Sequence, residues 1–302
     1  FSAMAGLRAE YTSLKGESPT MDTTFTRSYL DLFPSAYLQY QINAKQALNL
    51  SYSRKINRPG YNLLNPFRMY ADPFTYQSGN PDLAPSYINT VALRYTINRY
   101  SANLSYNVIS DIFQQDYIQD DANRTMGLTT NNIGKREQFT LSLSVPVQVA
   151  KWYNVSLSPE VSYIKADTRH SGEQFLNNYF SGFAGLYHNF SFSPTFRANV
   201  QMIWMKLPWE GILNMDPLWM MNGQIEKTLL ANRLSLSLSG NDIFNSMVSK
   251  GVMKFGNINQ TIKQEQNQRT IMLTARYSFG SQQIRGARNR SVGIEEEMGR
   301  AR

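Results

Sequence analysis

Apolar and polar residues alternate along most of this chain. Tyr100, Ala102, Leu104, Tyr106 and Val108 are interleaved with Ser101, Asn103, Ser105 and Asn107. That period of two predicts a strand with one apolar and one polar face. The same rhythm sets Ala3, Ala5, Leu7, Ala9 and Tyr11 against Met4, Gly6, Arg8, Glu10 and Thr12, and it returns in Phe139 to Val147, Leu234 to Leu238 and Ile271 to Phe279. Strands of soluble proteins cluster at about 5–6 residues, whereas a tilted strand crossing a bilayer needs about 9–11. Runs of this length predict an apolar face that meets lipid rather than a water-excluded core.

A coarse reading gives about twelve strands, near residues 1–14, 29–42, 47–57, 86–97, 100–115, 133–149, 153–165, 176–188, 194–206, 217–227, 233–243 and 268–279. Short turns are expected at 43–46, 98–99, 150–152, 189–193 and 229–232. Long polar or Pro/Gly-rich loops are expected at 15–28, 58–85, 116–132, 166–175, 207–216 and 244–267. Short and long connections alternate, as in outer-membrane barrels with tight periplasmic turns and longer extracellular loops. The fold class expected is therefore all-β, an antiparallel transmembrane β-barrel. Residues 1–279 supply strands and loops. Residues 280–302, rich in Gly, Arg and Ser with Glu295, Glu296 and Glu297, form a polar periplasmic tail.

Composition agrees with this picture. Charged residues make up 17%, below the roughly 25% of soluble domains, and aromatics reach 13% with 18 Tyr and 16 Phe. Mean hydropathy is −0.41, as a barrel permits, because only alternate residues face lipid. The absence of cysteine excludes disulfides and thiolate metal sites. The net charge of +8 is spread over strands and loops rather than gathered in a basic patch, so nucleic acid is not expected as a partner. Phe1 opens inside a strand-like segment with no signal peptide before it, which predicts a fragment of a longer precursor.

One segment carries a family signature. From Tyr52 the chain reads Tyr-Ser-Arg-Lys-Ile-Asn-Arg-Pro-Gly-Tyr, then Leu64-Asn65-Pro66-Phe67, Asp72-Pro73-Phe74-Thr75-Tyr76 and Gly79-Asn80-Pro81-Asp82-Leu83 with Pro85. Together with Asn241-Asp242-Ile243-Phe244-Asn245 and the end from Arg276 to Gly280, it resembles the Bacteroidetes-type outer-membrane β-barrel family of the TonB-dependent receptors. The resemblance implies a barrel of about twenty-two strands filled by a plug domain, of which this chain is the C-terminal part. It also implies, as partners, the plug of the same full-length protein, the TonB energy-coupling complex reached through the missing N-terminal part, outer-membrane lipid and a nutrient ligand. The location implied is the outer membrane of a Gram-negative bacterium.

Candidate site residues follow from chemistry and position. Pro59, Pro66, Pro73, Pro81 and Pro85 order the loop at 58–85 by turns. Tyr61, Phe67, Tyr70, Phe74 and Tyr76 supply apolar mass for packing or for ligand contact, and Trp209 joins them from the loop at 207–216. Arg8, Glu10, Arg94 and Arg276 are expected to face the lumen and the plug. Trp204 and Trp219 read as interface anchors. His170 and His188 have no carboxylate at a ligand spacing, and no phosphate loop or nucleophile elbow is present. No enzyme activity, metal or cofactor is expected. The function expected is TonB-dependent import of a nutrient such as a siderophore or glycan. A self-contained barrel of about twelve strands, acting as passive channel or membrane hydrolase, is the alternative.

Overall fold

The computed structural model describes residues 1–18, 23–120, 122–170, 173–208, 213–255, 258–265 and 268–279. The expected tail at 280–302 and Trp209 lie outside the described residues. The strands are β1 (Ser2–Ser18), β2 (Thr23–Asn43), β3 (Gln46–Asn57), β4 (Met69–Asp72), β5 (Thr75–Gln77), β6 (Ser86–Ile97), β7 (Tyr100–Asp120), β8 (Thr125–Ala150), β9 (Tyr153–His170), β10 (Glu173–Ser193), β11 (Phe196–Lys206), β12 (Leu213–Met215), β13 (Leu218–Leu229), β14 (Leu234–Asn241), β15 (Val248–Phe255), β16 (Ile258–Glu265) and β17 (Thr270–Tyr277). A single helical turn, α1, covers Tyr61–Leu64.

One antiparallel path runs β1-β2-β3-β6-β7-β8-β9-β10-β11-β13-β14-β17. These are the twelve strands read from the alternation, joined in sequence order because two-residue turns suffice between antiparallel neighbours. β5 attaches in parallel to β8 and carries β4 with it, while β12, β15 and β16 form a separate three-stranded sheet. The expected long loops at 15–28, 116–132 and 166–175 are largely strand instead, since β1–β2, β7–β8 and β9–β10 continue as paired ladders to near their tips. Alternation is the signal of one apolar face. Hairpins that extend beyond the lipid keep the ladder without the signal, although Asp116, Thr129, Ala166 and Thr168 are buried there.

Register turns the alternation into a surface. Leu38, Leu50, Leu93, Leu104, Leu141 and Val161 lie directly opposite one another across β2, β3, β6, β7, β8 and β9, and all of them are exposed. One step toward the long-loop side, Tyr52, Val91, Tyr106, Phe139, Tyr163 and Phe180 form a parallel row. Tyr106 stacks on Phe139 at 4.4 Å, and Tyr163 lies 5.1 Å from Phe180. At the short-turn side, Tyr153 stacks on Phe190 at 4.7 Å, and Trp152 and Phe196 stack on Phe192. Tyr153 and Tyr163 are ten residues apart on one face of β9, about 33 Å along the strand and about 25 Å along the normal at a tilt near 40°. That is the height of the apolar band of an outer-membrane barrel, with an aromatic girdle at each border.

The opposite face is polar. Gln39, Asn49, Arg94, Asn103, Ser142 and Glu160 occupy one cross-strand row. Gln138, Thr140 and Ser162 join by hydrogen bonds, the two hydroxyls 2.8 Å apart and buried. Above them, on the same face, Ile164, Ala166 and Tyr179 form a small buried apolar cluster. β1 and β17 end the strand order, and their outer edges have no partner among the described residues.

Candidate functional site

The Pro-rich segment at 58–85 is a compact cap at the long-loop end of the sheet, and its local order comes from its own sequence. Asp72 accepts the Phe74 and Thr75 N–H groups at 2.7 and 2.8 Å, an Asx turn around Pro73. The Phe74 bond is the main reason its carboxyl titrates below the usual range. Gly79 and Asn80 donate their N–H groups to the carbonyls of Asn65 and Leu63. A Cβ on Gly79 would lie 2.5 Å from each of those two carbonyl oxygens, so only glycine fits this crossing. Leu64 and Leu83 are buried beneath it.

Two hairpins clamp this cap from opposite sides. On one side, Arg27 Nη1 donates to the Leu83 carbonyl at 2.6 Å, and Arg58 Nη2 donates to Glu10 Oε2 at 2.7 Å and to Thr12 at 3.2 Å. Burial works against the Arg58 charge, but the bonds to Glu10 and Tyr29 more than offset it and raise the pKa above the ordinary value. Tyr87 OH donates to Asp31 at 2.9 Å, with the Arg54 guanidinium over the Tyr87 ring. On the other side, the Met126 N–H donates to the Phe74 carbonyl and the Ser78 N–H to the Leu128 carbonyl. Asn80 reaches Thr130 and Asn131, and Asn132 exchanges bonds with Ala84.

The predicted aromatic residues divide in two. Tyr76 is buried, its ring covered by Arg68 at 4.5 Å and set 5.7 Å from Tyr70; it is a packing residue. Tyr61, Phe67, Tyr70 and Phe74 stay exposed with Met69. A rigid support that displays exposed aromatics is a surface able to stack on a ligand at low cost in entropy.

The predicted polar residues are not gathered into one cluster. Arg8 pairs with Glu10 at 3.0 Å and lies over Phe33, so both sit at the foot of the cap. Arg94 is mid-sheet on the polar face and donates to Ser101 at 3.3 Å. Arg276 is exposed on β17 opposite Ser235. Trp204 and Trp219 are directly opposed on the apolar face, and the Trp219 ring lies 5.8 Å from that of Phe244. The latch residues Arg27, Asp31, Arg54, Arg58 and Tyr87 escaped the sequence reading. Arg54 and Arg58 stand inside the motif that carried the resemblance and Tyr87 two residues beyond it, but their partners are 29 or more residues away. Among the described residues no group of three or more His, Cys, Asp or Glu side chains is placed to hold a metal ion.

Residues 1–277 match the outer membrane protein beta-barrel family. The chain belongs to that family. This member of the outer-membrane barrel family therefore resides in the outer membrane, and its exposed apolar rows are a lipid face. Among solved structures it is similar to the copper transporter OprC, with a TM-score of 0.60 and 12% identity over 92% of this chain and 46% of that one. It is also similar to Fiu, the ferric-catecholate import receptor of E. coli K12 in a closed form, with a TM-score of 0.55 and 15% identity over 92% and 42% of the two chains. The FrpB iron transporter of Neisseria meningitidis gives a TM-score of 0.55 and 14% identity over 92% and 43%. The barrel chain spans less than half the length of each, and identities this low speak to the fold alone. No curated protein matches it.

Proposed function

We propose that this chain is the C-terminal wall of a TonB-dependent receptor that imports a nutrient across the outer membrane. The observation that carries the reading is that the outer edges of β1 and β17 have no partner among the described residues. In hydrocarbon each unpaired backbone group costs several kcal/mol, so a lipid-facing sheet has to close. β1 runs from the short-turn side outward, and β17 returns to it. Antiparallel closure then takes an even number of further strands, and about ten would complete a barrel of about twenty-two staves with a plugged lumen. A self-contained barrel of twelve would need β1 to pair with β17, and among the described residues they are not paired.

In this reading the plug and the remaining staves belong to the same protein, TonB energises the plug, and the polar face with Arg8, Glu10, Arg94 and Arg276 lines the lumen. Tyr61, Phe67, Tyr70 and Phe74 take part in substrate capture at the outer rim. The test is uptake by a strain lacking the full-length gene, supplied in turn with siderophores, glycans, cobalamin-like ligands and peptides. Loss of uptake of one class, restored by the intact gene and abolished by collapse of the proton-motive force, is the expected result. Normal uptake of every class overturns the reading. A Phe67→Ala, Tyr70→Ala, Phe74→Ala variant at normal membrane abundance is expected to lower that uptake about tenfold, given about 1 kcal/mol or less for each exposed aromatic contact.

A further inference from the structure

The two ends of the sheet carry charge differently. On the long-loop side carboxylates and cations are mixed, as in the pairs Arg8–Glu10, Lys135–Glu137 and Lys263–Glu265. The short turns carry cations alone. Residues 39–49, 94–104, 147–157, 189–199 and 227–237 bracket the five turns; they include Lys45, Arg99, Lys151, Lys227 and Arg233 and not one Asp or Glu. At the chain's average of 22 carboxylates in 302 residues, these fifty-five positions would hold about four. None of the five cations has an ion pair among the described residues.

Geometry places these charges at the lipid border and not in the water beyond it. Tyr100 lies on the apolar face of β7, two rows from Leu104 toward the turn, and the Arg99 guanidinium stands over its ring, 5.7 Å from the centroid. Lys227 itself occupies an apolar-face position of β13, in line with Trp219, Met221 and Ile225 and directly opposite Phe196. Its Nζ is 5.7 Å from the Phe196 ring and donates to Thr195 Oγ1 at 3.2 Å. A long carbon stem lets such a side chain border apolar surface while its charge reaches the polar edge. Lys151 immediately precedes Trp152, the indole that stacks with Tyr153, Phe190 and Phe192 of the lower girdle. Arg94, Arg197 and Arg276 lie near the same end but have the opposite parity, on the polar face.

Position and charge balance together select the occupant. One residue is about 3.3 Å of strand, so Arg99 and Lys151 stand at the girdle, where the hydrocarbon gives way to lipid phosphate. Every glycerophospholipid brings a phosphate to that level, and the remainder of its headgroup makes the difference. An ethanolamine ammonium calls for a carboxylate, which the rim lacks. A glycerol headgroup keeps its net negative charge and leaves the unspent cations free to take it. Charges drawn over lipid-facing rings serve a molecule in the membrane better than an acidic protein approaching the open lumen.

We propose that the short-turn rim is a binding surface for anionic glycerophospholipid of the phosphatidylglycerol class, with Arg99, Lys151 and Lys227 on the phosphates and Lys45 extending the rim. The acyl chains then run over Leu104, Val147 and Ile225, which are exposed on the apolar face. The surface belongs to the wall and does not depend on what the protein imports.

The experiment uses the full-length protein, stripped of lipid in detergent and followed by native mass spectrometry. The probes are phosphatidylglycerol and phosphatidylethanolamine with identical acyl chains, offered at equal concentration. The expected result is about fivefold greater retention of phosphatidylglycerol, at about 1 kcal/mol per cation near a lipid surface. In Lys45→Gln, Arg99→Gln, Lys151→Gln, Lys227→Gln the two lipids are retained equally, whereas Lys45→Arg, Lys151→Arg, Lys227→Arg keeps the preference. Equal retention of the two lipids by the unaltered protein overturns the proposal and needs no variant. An undiminished preference in a glutamine variant that still shows heat-modifiable migration overturns it as well, because the anion is then held elsewhere.

Discussion

Between β8 and β9 the backbone ladder runs from the short turn to Gly134 and Thr168, well above the upper girdle. Between β2 and β3 it stops at Ser35 and Ser53. What holds the two pairs beyond the apolar rows differs. The first pair keeps its main-chain hydrogen bonds. The second is joined through side chains, with Arg27, Arg58, Asp31 and Tyr87 fastening the β1–β2 hairpin to the cap at 58–85. A ladder asks nothing special of the residues it pairs, whereas a side-chain seam needs charges that are buried and partnered. The Arg58 side chain is only 9% exposed and Asp31 8%. The cap is seated where the ladder opens, and this is what the opening provides: a platform fixed to two hairpins without being a strand of either.

The sharpest way to break the ladder side is Gly134→Val. A Cβ there overlaps the Asp167 carbonyl, and the φ of 144° is closed to a branched residue. A loss of about 3–4 kcal/mol is expected in denaturant unfolding of the full-length protein. The seam side should respond next. Glu10→Ala leaves Arg58 buried without its carboxylate, at about 2–3 kcal/mol. That cost is expected as roughly 30- to 100-fold faster hydrogen exchange at Asn80 and Leu83, while the β8–β9 amides stay protected. Equal acceleration on both sides would erase the distinction between seam and ladder. Ser162→Ala removes one member of the buried Thr140–Ser162 pair and is expected to lower unfolding stability by about 1 kcal/mol.

The smallest expected effect is a pH dependence at the turn after β14. Asp242 is 1% exposed. Its burial pushes the carboxyl pKa up, but the N–H groups of Ser246 and Met247 and the Ser246 hydroxyl prevail and hold it below the ordinary value. A depressed folded-state pKa gives stability that is complete above the unfolded carboxylate value, about 3.9, and is lost as pH falls through the folded one. Protection of the Ser246 and Met247 amides should therefore persist at pH 5 and decline only in stronger acid. Asp242→Asn should show no such decline.

Much of this was legible because a membrane makes its demands locally. Strand count, the short turns and the two faces follow from the alternation, since lipid on one side and water on the other select residues by parity alone. The strands above the girdle were hidden for the same reason. Residues 116–132 carry Gln, Asp, Asn and Thr without a period, because no face of that hairpin meets lipid and part of it is covered by the distant β5. The aromatic set at the cap was visible as composition, but the burial of Tyr76 against its exposed neighbours depends on β5 docking on β8, a parallel pairing across 51 residues.

The sequence by itself determined that this chain is a lipid-facing antiparallel wall, because period, strand length and loop alternation are written within each hairpin. The tertiary structure alone decided where the ladder opens, which charges close the gap, and where the bulge at Asp111 and Gly134 bends the β7–β8 hairpin. Those features depend on residues far apart in the chain, whose meeting is set by register and not by any local pattern.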